Sequence, residues 1–217
     1  MITASLDVDV QNTFTARCPD ELPIEGGDRI VYELNRQAKK ATLRAVSKDT
    51  HAPHAVWITT NPEEITAPLD YPNADKKWNS HAMIGTYGWQ LIEGLPRVED
   101  YDIVVYKGLE PSLHPYGACY HTYDRKVSTG LLEYFVANGV ERVIVGGLAM
   151  EFCVMQTLRE MADYGKFEVI LNLAATRALT PNGFDETIKE IAERRKQGQN
   201  IRVINNIDEL EIKSDKE

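Results

Sequence analysis

The sequence predicts an α/β fold, a three-layer α/β/α sandwich around a central, mainly parallel sheet. Two observations predict it. Short apolar runs alternate along the chain with stretches whose apolar residues recur at helical spacing, the pattern of a parallel sheet covered on both faces. The side chains with chemistry to offer, Asp9, Asp49, His51, Lys107 and Cys153, fall at or just past the C-terminal ends of separate apolar runs. That edge of such a sheet holds the ligand crevice, so residues distant in sequence converge there.

Taken in order, Met1 to Val10 reads as the first strand. Asp7 and Asp9 alternate with Leu6, Val8 and Val10, so both carboxylates project from one face. They are costly there unless paired or used, or unless this strand is an edge with both acids solvated. Thr13 to Gly27 carries Cys-Pro, Leu-Pro and Gly-Gly and reads as a loop. A helix opens at Gly26-Gly27-Asp28, with Asp28 as N-cap. Its apolar stripe is Ile30, Val31, Leu34, Ala38 and Ala41. Leu43 to Ser47 is the second strand and runs into Lys48-Asp49-Thr50-His51.

Residues from about 52 to 90 form a loop insertion, with prolines and polar residues and no clear period up to Ser80. A loop of that length inside a compact domain is usually functional. Asp102 to Tyr106 is the third strand, followed at once by Lys107-Gly108. Glu110 to Lys126 is a loop, and Thr129 to Asn138 a helix closed by Gly139. Arg142 to Val145 is a strand and Val154 to Tyr164 a helix, with Cys153 at the turn between them. Glu168 to Asn172, a charged helix from Asp185 to Gln197, and a last strand from Ile201 to Ile204 follow. A polar tail begins at about Glu211. There is no internal repeat, and one domain over residues 1–217 is expected.

Composition narrows the function. A chain of 217 residues that is 43% hydrophobic can build one sizeable core. A net charge of −9 without a basic block argues against nucleic acid or an anionic membrane as partner. No apolar run is long enough to span a bilayer and no signal peptide is evident, so a cytoplasmic location is expected. Three cysteines without a CxxC pair fit free thiols in a reducing compartment.

Cys153 carries the argument for catalysis. A thiol at a helix N-terminus sees the positive end of the helix dipole, which favours thiolate. Unpaired N–H groups there can receive an oxyanion. One cysteine taken alone is more often a small buried hydrophobe. Asp9 and Lys107, each explicable alone as a cap or a surface charge, supply a base and a cation at neighbouring strand ends. Asp49, His51 and His81 offer one oxygen and two nitrogen ligands, a set that suits a borderline divalent ion with water in the open positions.

Six stretches, in order, resemble motifs of the nicotinamidase branch of the isochorismatase-like cysteine hydrolases. They are Asp9-Val10-Gln11-Asn12-Thr13-Phe14, the loop Leu22 to Asp28, Lys48-Asp49-Thr50-His51, His81 to Thr86, Lys107-Gly108, and Gly147-Leu148-Ala149 through Cys153-Val154. The resemblance runs from about Leu6 to Ile204. It implies the isochorismatase-like hydrolase fold and an amidase that converts nicotinamide, and also pyrazinamide, to the acid and ammonia in NAD salvage. It implies Asp9, Lys107 and Cys153 as catalytic residues, with Asp9 deprotonating Cys153 and a thioester as intermediate. The backbone amides of Ala149 and Cys153 would hold the oxyanion, with a cis peptide between Leu148 and Ala149. Phe14, Trp78, Leu148 and Ala149 would bind the substrate. Asp49, His51 and His81 would hold one divalent metal against the pyridine nitrogen, with Zn preferred and Fe or Mn as alternatives.

The small molecule nicotinamide is then the expected partner, and whether the chain forms a homo-oligomer is left open. Thr13, Met150 and Phe152 depart from the family pattern at what should be the pocket mouth, while Glu151 keeps an acid common there. His54 is a weak candidate for a further ligand, and His114 and His121 read as loop residues that bind nothing. Two other readings stay open. One is a sibling hydrolase of the same fold acting on a ureido, carbamoyl or isochorismate-type substrate, a branch that generally lacks the metal ligands. The other is a catalytically silent small-molecule-binding protein.

Overall fold

The apolar runs pair into one six-stranded sheet in the computed structural model, which describes residues 1–210. The tail expected from about residue 211 lies outside the described residues. The chain runs through β1 (Ile2–Val8), α1 (Val31–Ala38), β2 (Leu43–Asp49), β3 (Pro68–Tyr71), β4 (Ala74–Lys76) and β5 (Ile103–Lys107). It continues through α2 (Leu131–Ala137), β6 (Val140–Gly147), α3 (Met155–Tyr164), β7 (Glu168–Thr176), α4 (Gly183–Lys196) and β8 (Ile201–Ile204). The sheet order is β5-β2-β1-β6-β7-β8, and every pairing within it is parallel. No helix among the described residues is long and apolar enough to cross a membrane.

Both faces are covered, which is why the central strands read as near-continuous apolar runs. On one face α1 packs through Leu34, with Ile30, Val46, Tyr101 and Ala175 around it. On the other, Phe135 of α2, Leu158 of α3 and Ile191 of α4 meet Leu6, Val145 and Leu171 of the sheet. Each such side chain contributes about 1.5–3 kcal/mol when fully buried.

Three expectations need correction. Asp28 does not cap α1: Gly26, at φ +68°, precedes a 3-10 turn over Gly27–Ile30, and no side chain caps that turn. The insertion from about 52 to 90 is not all loop, since β3 and β4 form an antiparallel hairpin within it. Strands of four and three residues are too short to display alternation in sequence. The edge-strand reading of the first strand fails as well. β1 lies between β2 and β6, and Asp7 and Asp9 are both fully buried.

The chain moves outward from β1 through β2 to β5, then returns to the other side of β1 as β6. The crevice of such a sheet opens where the winding reverses, past the ends of β1 and β6. Gly147, at φ +132°, makes the close approach there possible, because a Cβ on it would lie 2.0 Å from the carbonyl oxygen of Val8.

Asp7 is structural. Arg44 Nη2 lies 2.7 Å from its carboxylate, and the Tyr101 hydroxyl donates to it at 3.0 Å. Burial still pushes its pKa up from 3.8 to about 6, against the pull of Arg44. The folded state therefore binds this proton more tightly than the unfolded chain. The associated stability is fully present below about pH 3.8 and is lost as pH rises through about 6. We expect Asp7→Asn to remove on the order of 3 kcal/mol of pH dependence across that window. Urea unfolding of both proteins from pH 4 to 7 measures it.

Candidate active site

Four strand ends supply the centre. Asp9 follows β1, Asp49 ends β2, Lys107 ends β5 and Cys153 lies six residues past β6. Register alone brings Asp49 opposite Lys107 and Val8 opposite Ser47. Asp9 adopts φ +50°, the left-handed region that a short acidic side chain tolerates better than most. Cys153 sits in a π-helical turn, Met150–Val154, that leads into α3. The Val154 N–H reaches back five residues to the Ala149 carbonyl, at 3.1 Å. The peptide between Leu148 and Ala149 is cis.

Lys107 is fully buried among these groups. Its ammonium donates to Asp49 Oδ1 at 2.8 Å and to the Pro115 carbonyl at 3.0 Å, and makes a longer contact to Cys153 Sγ at 3.7 Å. Asp9 Oδ2 is also 3.0 Å from the nitrogen and forms a buried ion pair with it. The Ser47 hydroxyl holds the other oxygen, Oδ1, at 2.7 Å. A carboxylate oxygen carries more than one lone pair, so Oδ2 can still accept a proton beside the ammonium, and the Asp9 carboxylate lies within 4.8 Å of Cys153 Sγ.

Burial alone would lower the Lys107 pKa, but Asp49 and Asp9 outweigh it and hold the ammonium well above its ordinary value. Burial raises the Asp9 carboxyl, against the pull of Lys107. Burial also pushes the Cys153 thiol well above its ordinary value; Lys107 opposes this, and Asp9 and Asp49 add to it. Burial and the two carboxylates therefore act against the thiolate that the helix dipole and Lys107 favour.

A second cluster adjoins the first through Asp49. His51 Nδ1 bonds the Gly108 carbonyl at 3.2 Å, and His81 Nδ1 bonds the Asn79 carbonyl at 2.8 Å. A carbonyl only accepts, so each Nδ1 carries the hydrogen and each Nε2 of a neutral ring presents a bare lone pair. Those two atoms face Asp49 Oδ2 at 3.0 and 3.5 Å. Burial lowers the His51 pKa against the pull of Asp49, which favours the neutral ring, and its Nε2 has no hydrogen-bond partner. Three acceptors converging in a buried space is the arrangement that a cation between them relieves, and the site fits a divalent ion.

His114 is a correction. It lies in the loop after β5, as read from sequence, but it is buried in this cluster. Its ring stacks on His51 with centroids 5.1 Å apart. Asp49, His51, His81 and His114 each bring a ligand atom within 4.8 Å of the others. His54 is exposed and outside this group.

One pocket is lined by Phe14, Trp78, His81, His114, Phe152 and Cys153, with Ala149 at its wall. Leu148 is instead packed beneath it with Phe14, Ile24 and Leu34. Of the departures from the family pattern, Phe152 does line the pocket, but Met150 is in the core beneath the sheet. The Thr13 hydroxyl donates to Glu21 and accepts from the Ala82 N–H, so it braces the His81 segment from below. Sequence reading missed Ser47, Trp57 and Glu21. Ser47 was recoverable from register with Val8. Trp57, edge-on to His51 at 4.6 Å, gave no signal inside an unpatterned stretch.

The sequence pattern of the isochorismatase domain matches residues 3–203. The chain belongs to the isochorismatase domain family. Within that family, a nicotinamidase of Acinetobacter baylyi is 28% identical over 185 residues, 83% of each chain. The zinc complex of a Pyrococcus horikoshii pyrazinamidase superposes with a TM-score of 0.71 at 23% identity, over 94% of this chain and 99% of that one. The nicotinate complex of PnC1 from L. infantum gives 0.76 at 23% identity, over 94% and 92%. The two structures share the fold of this isochorismatase-family chain.

Replacing Lys107 by methionine leaves Asp9 and Asp49 buried without their cation. We expect a loss of about 3–5 kcal/mol in unfolding free energy, read from denaturant titration at pH 7.

Proposed function

We propose that this chain hydrolyses nicotinamide to nicotinate and ammonia, with pyrazinamide as a second substrate, in NAD salvage. One observation carries the reading: one aromatic-walled pocket is bordered both by the Cys153 thiol and by Asp49, His81 and His114 of the lone-pair cluster. A flat ring with a carboxamide on one side and a ring nitrogen on the other offers a group to each. The nicotinamidase of A. baylyi, and the zinc and nicotinate held by the two structural relatives, support it.

In the reaction, Asp9 takes the Cys153 proton on Oδ2 as sulfur attacks the carboxamide carbon. The backbone amides of Ala149 and Cys153 are the donors for the oxyanion. Asp9 returns the proton to the departing nitrogen, which leaves as ammonia and a thioester. Asp9 then deprotonates a water that attacks the thioester, and passes that proton to the sulfur as the acid departs; the acid's remaining proton goes to the released ammonia, giving nicotinate. The ammonium of Lys107 stabilises each anion that forms beside it. Phe14 and Trp78 flank the ring.

Asp49, His51 and His81 would hold the divalent ion, Zn in preference to Fe or Mn, and when bound it supplies a Lewis acid for the ring nitrogen. The sibling hydrolases and the silent binding protein fit less well. The lone-pair cluster has no use for a substrate without a ring nitrogen, and a silent scaffold gains nothing from burying Asp9, Lys107 and Cys153 together. The three cysteines are free and buried, in keeping with a reducing cytoplasm.

Ammonia release with and without a chelator tests the activity. Cys153→Ala is expected to lower kcat on the order of a thousand-fold or more with the fold unchanged by circular dichroism. Near wild-type turnover would return Cys153 to the core. Benzamide has the amide but no ring nitrogen. Its kcat/KM should be roughly ten- to a hundred-fold lower in the metal-loaded protein. Equal values for the two amides would rule out recognition through the ring nitrogen.

A further inference from the structure

His114 departs from its two neighbours in a way that points to a role. It is 4% exposed, and neither ring nitrogen has a hydrogen-bond partner. A buried imidazole without a single partner costs free energy and calls for an explanation. Its position is nonetheless enforced from several sides. The backbone N–H of His114 donates to the Asn73 carbonyl at 2.7 Å, at the turn of the β3–β4 hairpin. Its carbonyl accepts from the Tyr123 hydroxyl at 3.0 Å. The preceding carbonyl, of Leu113, accepts from the Trp57 indole at 3.1 Å. The ring packs edge-on to Trp57 at 4.5 Å and parallel to Trp78 at 6.0 Å. The insertion that carries Trp57, Asn73 and Trp78 therefore delivers an unpartnered imidazole to the lone pairs of Asp49, His51 and His81.

We propose that His114 is a third imidazole ligand of the divalent ion, so that four protein side chains hold it. This rests on the reading of Asp49, His51 and His81 as a cation site. Three imidazole nitrogens and one carboxylate form a donor set that selects Zn²⁺, Co²⁺ or Ni²⁺ over the oxygen-seeking Mg²⁺ and Mn²⁺. It also leaves fewer coordination positions to water. His51 and His81 are each oriented by a carbonyl on Nδ1, whereas His114 has no such acceptor. Outer partners of that kind strengthen a ligand, so His114 is the weakest of the three imidazoles.

The test is metal binding to metal-stripped protein, without reference to turnover. Zn²⁺ affinity is measured by competition with a chromogenic chelator, and Co²⁺ coordination by its visible absorption, which is strong at four-coordinate and weak at six-coordinate cobalt. His114→Phe keeps an aromatic ring against Trp57 and Trp78 and removes both donors; circular dichroism checks its fold. His81→Ala is the reference for the site itself. We expect His114→Phe to weaken Zn²⁺ at least about ten-fold and to change the Co²⁺ spectrum, with a larger loss for His81→Ala. If His81→Ala loses metal while His114→Phe binds Zn²⁺ with unchanged affinity and spectrum, His114 is a pocket wall and the proposal fails alone. If neither variant differs from wild type, the cation site is misread and the proposal fails with it.

Discussion

One ammonium organises the centre of this molecule. Two carboxylates and a thiol from separate strands meet at the C-terminal edge of the sheet, where water is excluded. Without Lys107 they would repel one another, and the strand ends would have to splay or take up protons. With it, β1, β2 and β5 are tied by charge at the end where hydrogen-bonded pairing stops. The same contacts set the chemistry. Lys107 contacts Asp49, Pro115, Asp9 and the sulfur together, so Asp9 lies in its field while its second lone pair stays open. That is the setting the base of the proposed reaction needs, stabilised as an anion and still able to accept a proton.

Asp49 joins two sites of opposite need. One oxygen accepts from the ammonium, and the other faces the imidazole lone pairs. The thiol side and the imidazole side are thereby held at a fixed separation by one side chain whose backbone is itself clamped. Gln11 accepts from the Asp49 N–H and donates to its carbonyl, both at 2.8 Å. Rigid spacing of this kind favours a small, flat, rigid substrate over a flexible one.

How much of this was legible in the sequence varies by element. The sheet was, because strands buried on both faces must be written in continuous apolar runs. Asp9, Asp49, Lys107 and Cys153 were, because the ends of those runs are visible without knowing the strand order. Asp7 in β1 and Asp9 just past it looked alike in sequence, yet one serves an arginine and the other the site; only the partners across the sheet separate them. The forces on Cys153 were only half visible, since a helix terminus is local while the carboxylates that oppose the thiolate come from distant strands. His114 was dismissed for a similar reason. Its placement depends on a hairpin of seven strand residues too short to carry a periodic signal.

Gly108 sits between the two halves of the site. At φ +76°, with its carbonyl on His51 Nδ1, it leaves no room for a side chain: a Cβ there would stand 2.6 Å from the His51 ring. Any substitution pushes on the imidazole side while leaving the preceding lysine in its ion pairs. If the proposed function holds, a lineage drifting at this one codon would lose its means of recognising the ring before it lost the means of breaking the amide. Such a descendant would be a less selective hydrolase with Cys153 undisturbed, one mutational step from a specialist.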